Sequence, residues 1–191
     1  MKVLVFAGSM RAASLNKRLA KVAAGALARA GAEVDLADFR EFEVPLYDGD
    51  LETASGVPAG AQALASRLQR AGSLCLVTPE YNHSIPGTVK NAIDWLSRIR
   101  PSPLANVPAL VMSASPGLAG GSRAAWAVKV PLELLGMLVY PGIFTLAQAN
   151  QRFGPDGGLK DDDLAERLEK LCEDFVRYAT ALDPIRAARP A

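Results

Sequence analysis

Short apolar runs and amphipathic stretches alternate along nearly the whole chain. Val3–Ala7 is a continuous β-favouring run, the pattern of a strand buried on both faces. Ser14 or Asn16 can cap a helix that runs to about Ala30, with Leu19, Val22, Ala23, Ala26 and Leu27 on one face, and Gly31 stops it. Glu33–Ala37 reads as a second strand, Ala59–Ala71 as a helix and Ser73–Val77 as a third strand. Pro86–Arg98 is a helix with Val89, Ile93 and Leu96 at core spacing, and Pro101-Ser102-Pro103 is a turn. Val107–Ser113 is the fourth strand. Arg123–Leu135 is a helix expected to kink or restart at Pro131. Met137–Thr145 is a fifth strand, interrupted near Pro141-Gly142, and Asp161–Leu182 is a closing helix with Leu164, Leu168, Leu171 and Phe175 on one stripe. This order predicts an α/β chain with one parallel sheet, helices on both faces and right-handed crossovers. Five strands fit the spatial order 2-1-3-4-5.

The length of 191 residues suits one domain, placed here at residues 1–182, with a loose tail over 183–191. Residues 39–58 carry Pro45, Tyr47, Gly49, Gly56 and Pro58 and read as a long loop, a type that tends to be functional. Twenty-one Lys and Arg against 20 Asp and Glu give a net charge of +1, without the basic footprint of a nucleic-acid partner or a polybasic membrane signal. No apolar stretch approaches the ~20 residues of a membrane span. The start, Met1-Lys2-Val3-Leu4-Val5-Phe6-Ala7-Gly8, lacks the longer apolar region of a signal peptide, so a cytoplasmic location is expected. Cys75 lies in an apolar strand and Cys172 in a helix, and both read as reduced core thiols. With one histidine besides, a structural zinc site is not expected. Asp161, Asp162 and Asp163 read as an acidic helix start rather than a metal site.

Chemistry concentrates in loops after strands. Gly8-Ser9-Met10-Arg11-Ala12-Ala13-Ser14-Leu15-Asn16 joins the first strand to the first helix. A helix start offers unpaired N–H groups and a positive dipole end. Ser9, Ser14 and Asn16 can add side-chain donors, and Arg11 a fork suited to phosphate oxygens. The loop suits a terminal phosphate monoester, although alone it also reads as a serine-capped polar turn. It is neither G-x-x-x-x-G-K-[ST] nor G-x-G-x-x-G, which argues against a nucleoside triphosphate and against the dinucleotide fingerprint. The second loop, Thr78-Pro79-Glu80-Tyr81-Asn82-His83-Ser84-Ile85-Pro86, gathers flat, hydrogen-bonding and backbone-rigid groups, which suit a planar polar ring. Pro116–Gly121 is a third, glycine-rich loop.

Three motifs together resemble the NADPH-dependent FMN reductase family, which includes quinone, chromate and azo-dye reductases. They are Gly8-Ser9-x-Arg11-x-x-Ser14-x-Asn16; Pro79-Glu80-Tyr81-Asn82-x-Ser84-x-Pro86-Gly87 continuing through Lys90-Asn91-Ala92-Ile93-Asp94-Trp95 and Ser97-Arg98; and Ser115-x-Gly117-x-x-Gly120-Gly121-x-Arg123. The similarity covers about residues 2–180. It implies a flavodoxin-like three-layer sandwich with bound FMN, and NADPH or NADH as hydride donor. By that resemblance Ser9, Arg11, Ser14 and Asn16, with the backbone of Met10 and Leu15, hold the FMN phosphate. Pro79, Glu80, Tyr81 and Asn82 lie along the isoalloxazine ring, largely through backbone groups. Ser115 and the backbone near Gly117 approach its other side. The implied activity is two-electron, ping-pong transfer to quinones, flavins, azo compounds or metal oxyanions, by a homodimer or homotetramer.

No residue is assigned as acid or base, because the cofactor carries the chemistry. His83 reads as a solvent-facing loop histidine in preference to a proton donor, and Glu80 as a structural or interface carboxylate in preference to a base. Asp94 and Arg98 are spaced to pair on one helix, which by the resemblance often joins a dimer interface. Arg123 is open between the NADPH phosphate and a helix cap, and Trp95 and Trp126 read as packing or interface residues. The rival reading is a flavodoxin-type electron carrier, against which the near-zero net charge argues. A signalling receiver would need paired acids after the first strand, where this chain has Phe6-Ala7-Gly8-Ser9.

Overall fold

A computed structural model describes residues 1–184. Five parallel strands, β1 (Lys2–Ala7), β2 (Glu33–Asp38), β3 (Leu74–Val77), β4 (Pro108–Ala114) and β5 (Leu138–Leu146), pair in the order β2-β1-β3-β4-β5, as the alternation predicts. Among the described residues seven α-helices connect or follow them: α1 (Leu15–Arg29), α2 (Gly49–Ser55), α3 (Ala59–Ala71), α4 (Gly87–Leu96), α5 (Ser122–Leu134), α6 (Ala149–Arg152) and α7 (Asp162–Ala181). The expected loose tail falls, from residue 185 on, outside the described residues.

Side chains alternate along each strand, so the sheet carries two cores. Val3, Val5, Cys75, Val77, Leu110, Met112 and Phe144 face α1 and α7. Leu4, Phe6, Leu74, Leu76, Ala109 and Val111 face α3, α4 and α5. The helix signals act as read. Ser14, in extended backbone, caps α1 through its Oγ, which accepts from the N–H groups of Asn16 and Lys17. Gly31 at φ 91° closes α1, with the Ala32 N–H donating to the Leu27 carbonyl and the Gly31 N–H to Ala28. Asp161 caps α7 by accepting from the Leu164 N–H, and Asp162 and Asp163 fill the first turn; no metal-holding cluster occurs among the described residues. No helix among the described residues is long and apolar enough to cross a membrane.

Three expectations need correction. Residues 39–58 are not one loop: Asp38 and Glu41 form a capping box on a short 3-10 turn, Phe39–Phe42, and Asp48 caps α2. Of the two outcomes open at Pro131 the restart is excluded, since α5 stays helical to Leu134. Asp94 pairs with Lys90 at 2.6 Å rather than with Arg98, whose guanidinium lies over the Tyr47 ring. The break expected near Pro141-Gly142 is present as a register shift: Ala109 pairs with Val139 and Val111 with Ile143. The Tyr140 and Pro141 carbonyls there accept from the buried Lys129 ammonium, 3.3 and 3.2 Å away. Lys129 also lies over the exposed Trp126 ring, while Trp95 is fully buried and donates its indole N–H to the Pro45 carbonyl.

Candidate functional site

The chain leaves β1 for the sheet edge β2 and returns to β3 on the other side of β1. Ligands of open α/β sheets bind outside the carboxyl strand ends at such a switch. Ala7 stands beside Val77, and Val77 beside Met112, so the three loops that follow β1, β3 and β4 leave the sheet at one edge.

The first loop starts in close contact with the second. A Cβ on Gly8 would come within 2.3 Å of a Val89 methyl on α4, so only glycine lets β1 end there. Ser9 is buried and its Oγ accepts from the Arg11 N–H at 3.4 Å. The N–H groups of Met10, Ala12, Ala13, Ser14 and Leu15 donate to nothing among the described residues. These orphan donors stand at the positive end of α1, with the exposed Arg11 guanidinium also without a protein partner among them. That donor set fits a phosphate dianion.

Asn16 has another partner. It is buried, its Nδ2 donates to the Ala114 carbonyl at 2.9 Å, and its Oδ1 accepts from the Ala114 N–H at 2.8 Å. The side chain therefore clamps the first turn of α1 to the end of β4. Two further braces were not legible in sequence. Arg40, on the 3-10 turn, donates from Nη2 to the Met10 carbonyl at 2.6 Å. Lys17 pairs with Asp38 at 2.8 Å, which holds that carboxyl below its ordinary pKa, helped by the Arg40 N–H.

The second loop is a tight hairpin. Tyr81 and Ser84 exchange N–H···O bonds of 3.2 and 3.1 Å, and Asn82 and His83 between them have φ of 50° and 64°. Positive φ at both central positions is a primed turn, which Asn and His tolerate better than most residues. The N–H groups of Glu80, Asn82 and His83 donate to nothing among the described residues. Pro79 is buried; Tyr81, Asn82 and His83 are exposed. The Glu80 carboxylate accepts from the N–H groups of Arg123 and Ala124 on α5. Arg123, open in sequence, lies with Nη1 3.4 Å from Glu80.

In the third loop Ser115 Oγ accepts from the Gly117 N–H at 3.1 Å. The Gly117 carbonyl accepts from Gln148 and the Ser115 carbonyl from Ala149, which bind the loop to the residues after β5. Ser113 Oγ donates to the Thr78 carbonyl at 2.6 Å, a buried tie between the second and third loops. Beside the first loop, Met10, Phe39, Phe42, Glu43, Val44, Thr88 and Asn91 line a cleft of about 190 Å³. Segment 39–58 is fixed beside it by Asn91, which accepts from the Tyr47 N–H and donates to the Pro45 carbonyl.

The family model described as NADPH-dependent FMN reductase matches residues 1–151. The chain belongs to the NADPH-dependent FMN reductase family. A quinone reductase of Escherichia coli strain K12 is 39% identical over 143 residues, 73% of each chain. An NAD(P)H-dependent FMN reductase of Pseudomonas aeruginosa is 34% identical over 172 residues, 89% of this chain and 90% of that one. Among solved structures, the flavoenzyme NAD(P)H:(acceptor) oxidoreductase FerB of Paracoccus denitrificans superposes with a TM-score of 0.80 at 29% identity, covering 95% of this chain and 98% of that one. The fold of this family member is thus shared over nearly its full described length, and the three loops above lie within the part that the family model matches.

Proposed function

We propose that this protein is an FMN-dependent NAD(P)H oxidoreductase that passes two electrons, in a ping-pong cycle, to small-molecule acceptors such as quinones, flavins, azo compounds or metal oxyanions. The observation that carries the reading is the meeting of the three loops at one sheet edge, the first with orphan N–H groups and a free guanidinium, in a chain of this family. Bound FMN supplies hydride acceptance and donation.

The chain's residues hold and orient. Ser9, Arg11 and Ser14, with the N–H groups of Met10 and Leu15, would hold the phosphate. Asn16 would keep those donors in place through its clamp on Ala114, with one amide hydrogen still free to join them. Pro79, Glu80, Tyr81 and Asn82 would border the ring through their backbone. The unpaired N–H groups of Glu80 and Asn82 suit the oxygen-bearing edge of a ring that gains negative charge. Ser115 and Gly117 would bound the other side. No residue is proposed as a general acid or base; the 77% exposure of the His83 side chain and the engagement of Glu80 with α5 support that reading.

The cofactor site, the homodimer or homotetramer and the cytoplasmic location belong to this proposal. Trp126, Val130 and Leu134 are exposed on one face of α5, as an interface would require, and two reduced buried thiols suit a reducing compartment. The flavodoxin-type carrier is less well supported, since relatives at 34–39% identity carry reductase names.

The deciding experiment is an anaerobic titration of the FMN-reconstituted protein with NADPH, following the flavin absorbance. Fast, stoichiometric bleaching reversed by a quinone is expected. Bound flavin that NADPH reduces slowly or not at all would leave the carrier standing. Failure to bind FMN would remove both readings.

A further inference from the structure

α5 begins behind Gly121, and that position can only be glycine: its φ is 83°, and a Cβ there would lie 1.9 Å from Ser113 Oγ. No Ser, Thr, Asp or Asn can stand at this N-cap, and α5 has no cap from its own chain start. The cap comes from another loop. Glu80 Oε2 accepts from the Arg123 N–H at 3.0 Å and the Ala124 N–H at 3.3 Å, and Oε1 lies 3.4 Å from Arg123 Nη1. His83 Nδ1 is 3.7 Å from the same oxygen, and the Glu80 side chain is only 11% exposed. A carboxylate at a helix start gains from both the N–H groups and the dipole. Deeper in, Ser113 Oγ donates to the Thr78 carbonyl at 2.6 Å. The second and third loops are therefore tied twice, once at the base by neutral groups and once at the rim by a charge.

We infer that Glu80 is a positioning residue: its carboxylate fastens the Pro79–Asn82 loop to the start of α5 and so sets the gap in which the flavin ring lies. The inference rests on the FMN reading above. Because Tyr81 and Ser84 close a tight turn, a displacement of Glu80 carries the whole hairpin with it. Releasing the carboxylate widens the gap and loosens the ring, which a simple helix cap would not do.

The test compares the unaltered protein with Glu80→Gln and Glu80→Ala, each reconstituted with FMN. Glu80→Gln keeps the shape and one acceptor oxygen but loses the charge. The expected result is a roughly tenfold weaker FMN affinity and an altered visible circular dichroism of the bound flavin at saturating FMN. The apo protein should lose only about 2–4 °C in Tm, the size of a lost helix cap. Glu80→Ala should go further the same way; if it does not fold, Glu80→Gln decides alone. Asp161→Ala, which removes the α7 cap, should lower Tm similarly and leave FMN affinity and the flavin signal unchanged. A Tm loss in Glu80→Gln with unchanged affinity and signal would overturn the inference, as would an equal loss of affinity in Asp161→Ala. If the unaltered protein binds no FMN, the FMN reading fails together with this one; if it binds and Glu80→Gln binds equally well, only this one fails.

Discussion

Arg11 and Asn16 belong to one loop and do opposite things. Arg11 is exposed and its guanidinium makes no hydrogen bond or ion pair among the described residues, so Arg11→Ala should change Tm by less than about 2 °C while weakening FMN binding tenfold or more, read by flavin fluorescence and calorimetry. Equal loss of both, or unchanged binding, would refute the phosphate assignment. Asn16 is buried and doubly bonded to the Ala114 backbone, so Asn16→Ala strands a buried N–H and a carbonyl and should cost about 3 kcal/mol in urea unfolding without any ligand present. In sequence the two are equivalent polar members of a phosphate motif; only the distances to Ala114 separate them. His83→Ala should leave turnover with quinones nearly intact at saturating substrate, because the ring faces solvent. A hundredfold fall would make it a participant in the reaction.

At the scale of elements, a part-buried bidentate ion pair joins β2 to α3. Arg67 on α3 makes paired bonds of 2.8 and 2.7 Å to Asp35 and a third of 2.6 Å to Glu41. The Arg67 hydrogen bonds hold the Asp35 carboxyl below its ordinary pKa. A depressed carboxyl contributes stability that is complete above the unfolded value of about 4 and is lost as pH falls through the folded value. Tm of the unaltered protein should therefore fall as pH drops below about 4, and Arg67→Ala should flatten part of that fall. Identical pH profiles would mean that the pair contributes nothing. The same scale holds what sequence patterns missed. The Phe39–Phe42 turn and α2 are too short for helical periodicity, although their acidic caps, Asp38 with Glu41 and Asp48, were readable. Asp94 had two basic neighbours one turn away, Lys90 and Arg98, and spacing alone could not choose. Tyr47, brought in by the 39–58 segment, occupies Arg98 and so decides.

Across the whole molecule, both thiols, Cys75 and Cys172, lie in one core, the one between the sheet and α1 and α7. Burial pushes Cys172 up to about 12 and Cys75 well above its ordinary value. Neither should react with a thiol reagent at pH 8 in the folded protein, and both should react once it is unfolded. Reaction in the folded state would mean that this core opens readily. This is the scale at which local signals are strongest, since a buried parallel sheet requires continuous apolar strands and each crossover requires an amphipathic helix. Strand number and the places of the connecting loops follow from that requirement, whereas the order 2-1-3-4-5 is one that five such strands fit and that their pairing shows. Which polar group serves the ligand and which serves the fold does not follow. Asn16 reaches β4 and Glu80 reaches α5, partners 98 and 43 residues away, and a hydrogen bond depends on where the partner arrives in space. Local sequence determined the strands and the loops; packing alone decided that Ser113 leaves room for nothing but glycine before α5, so that its cap had to come from the neighbouring loop.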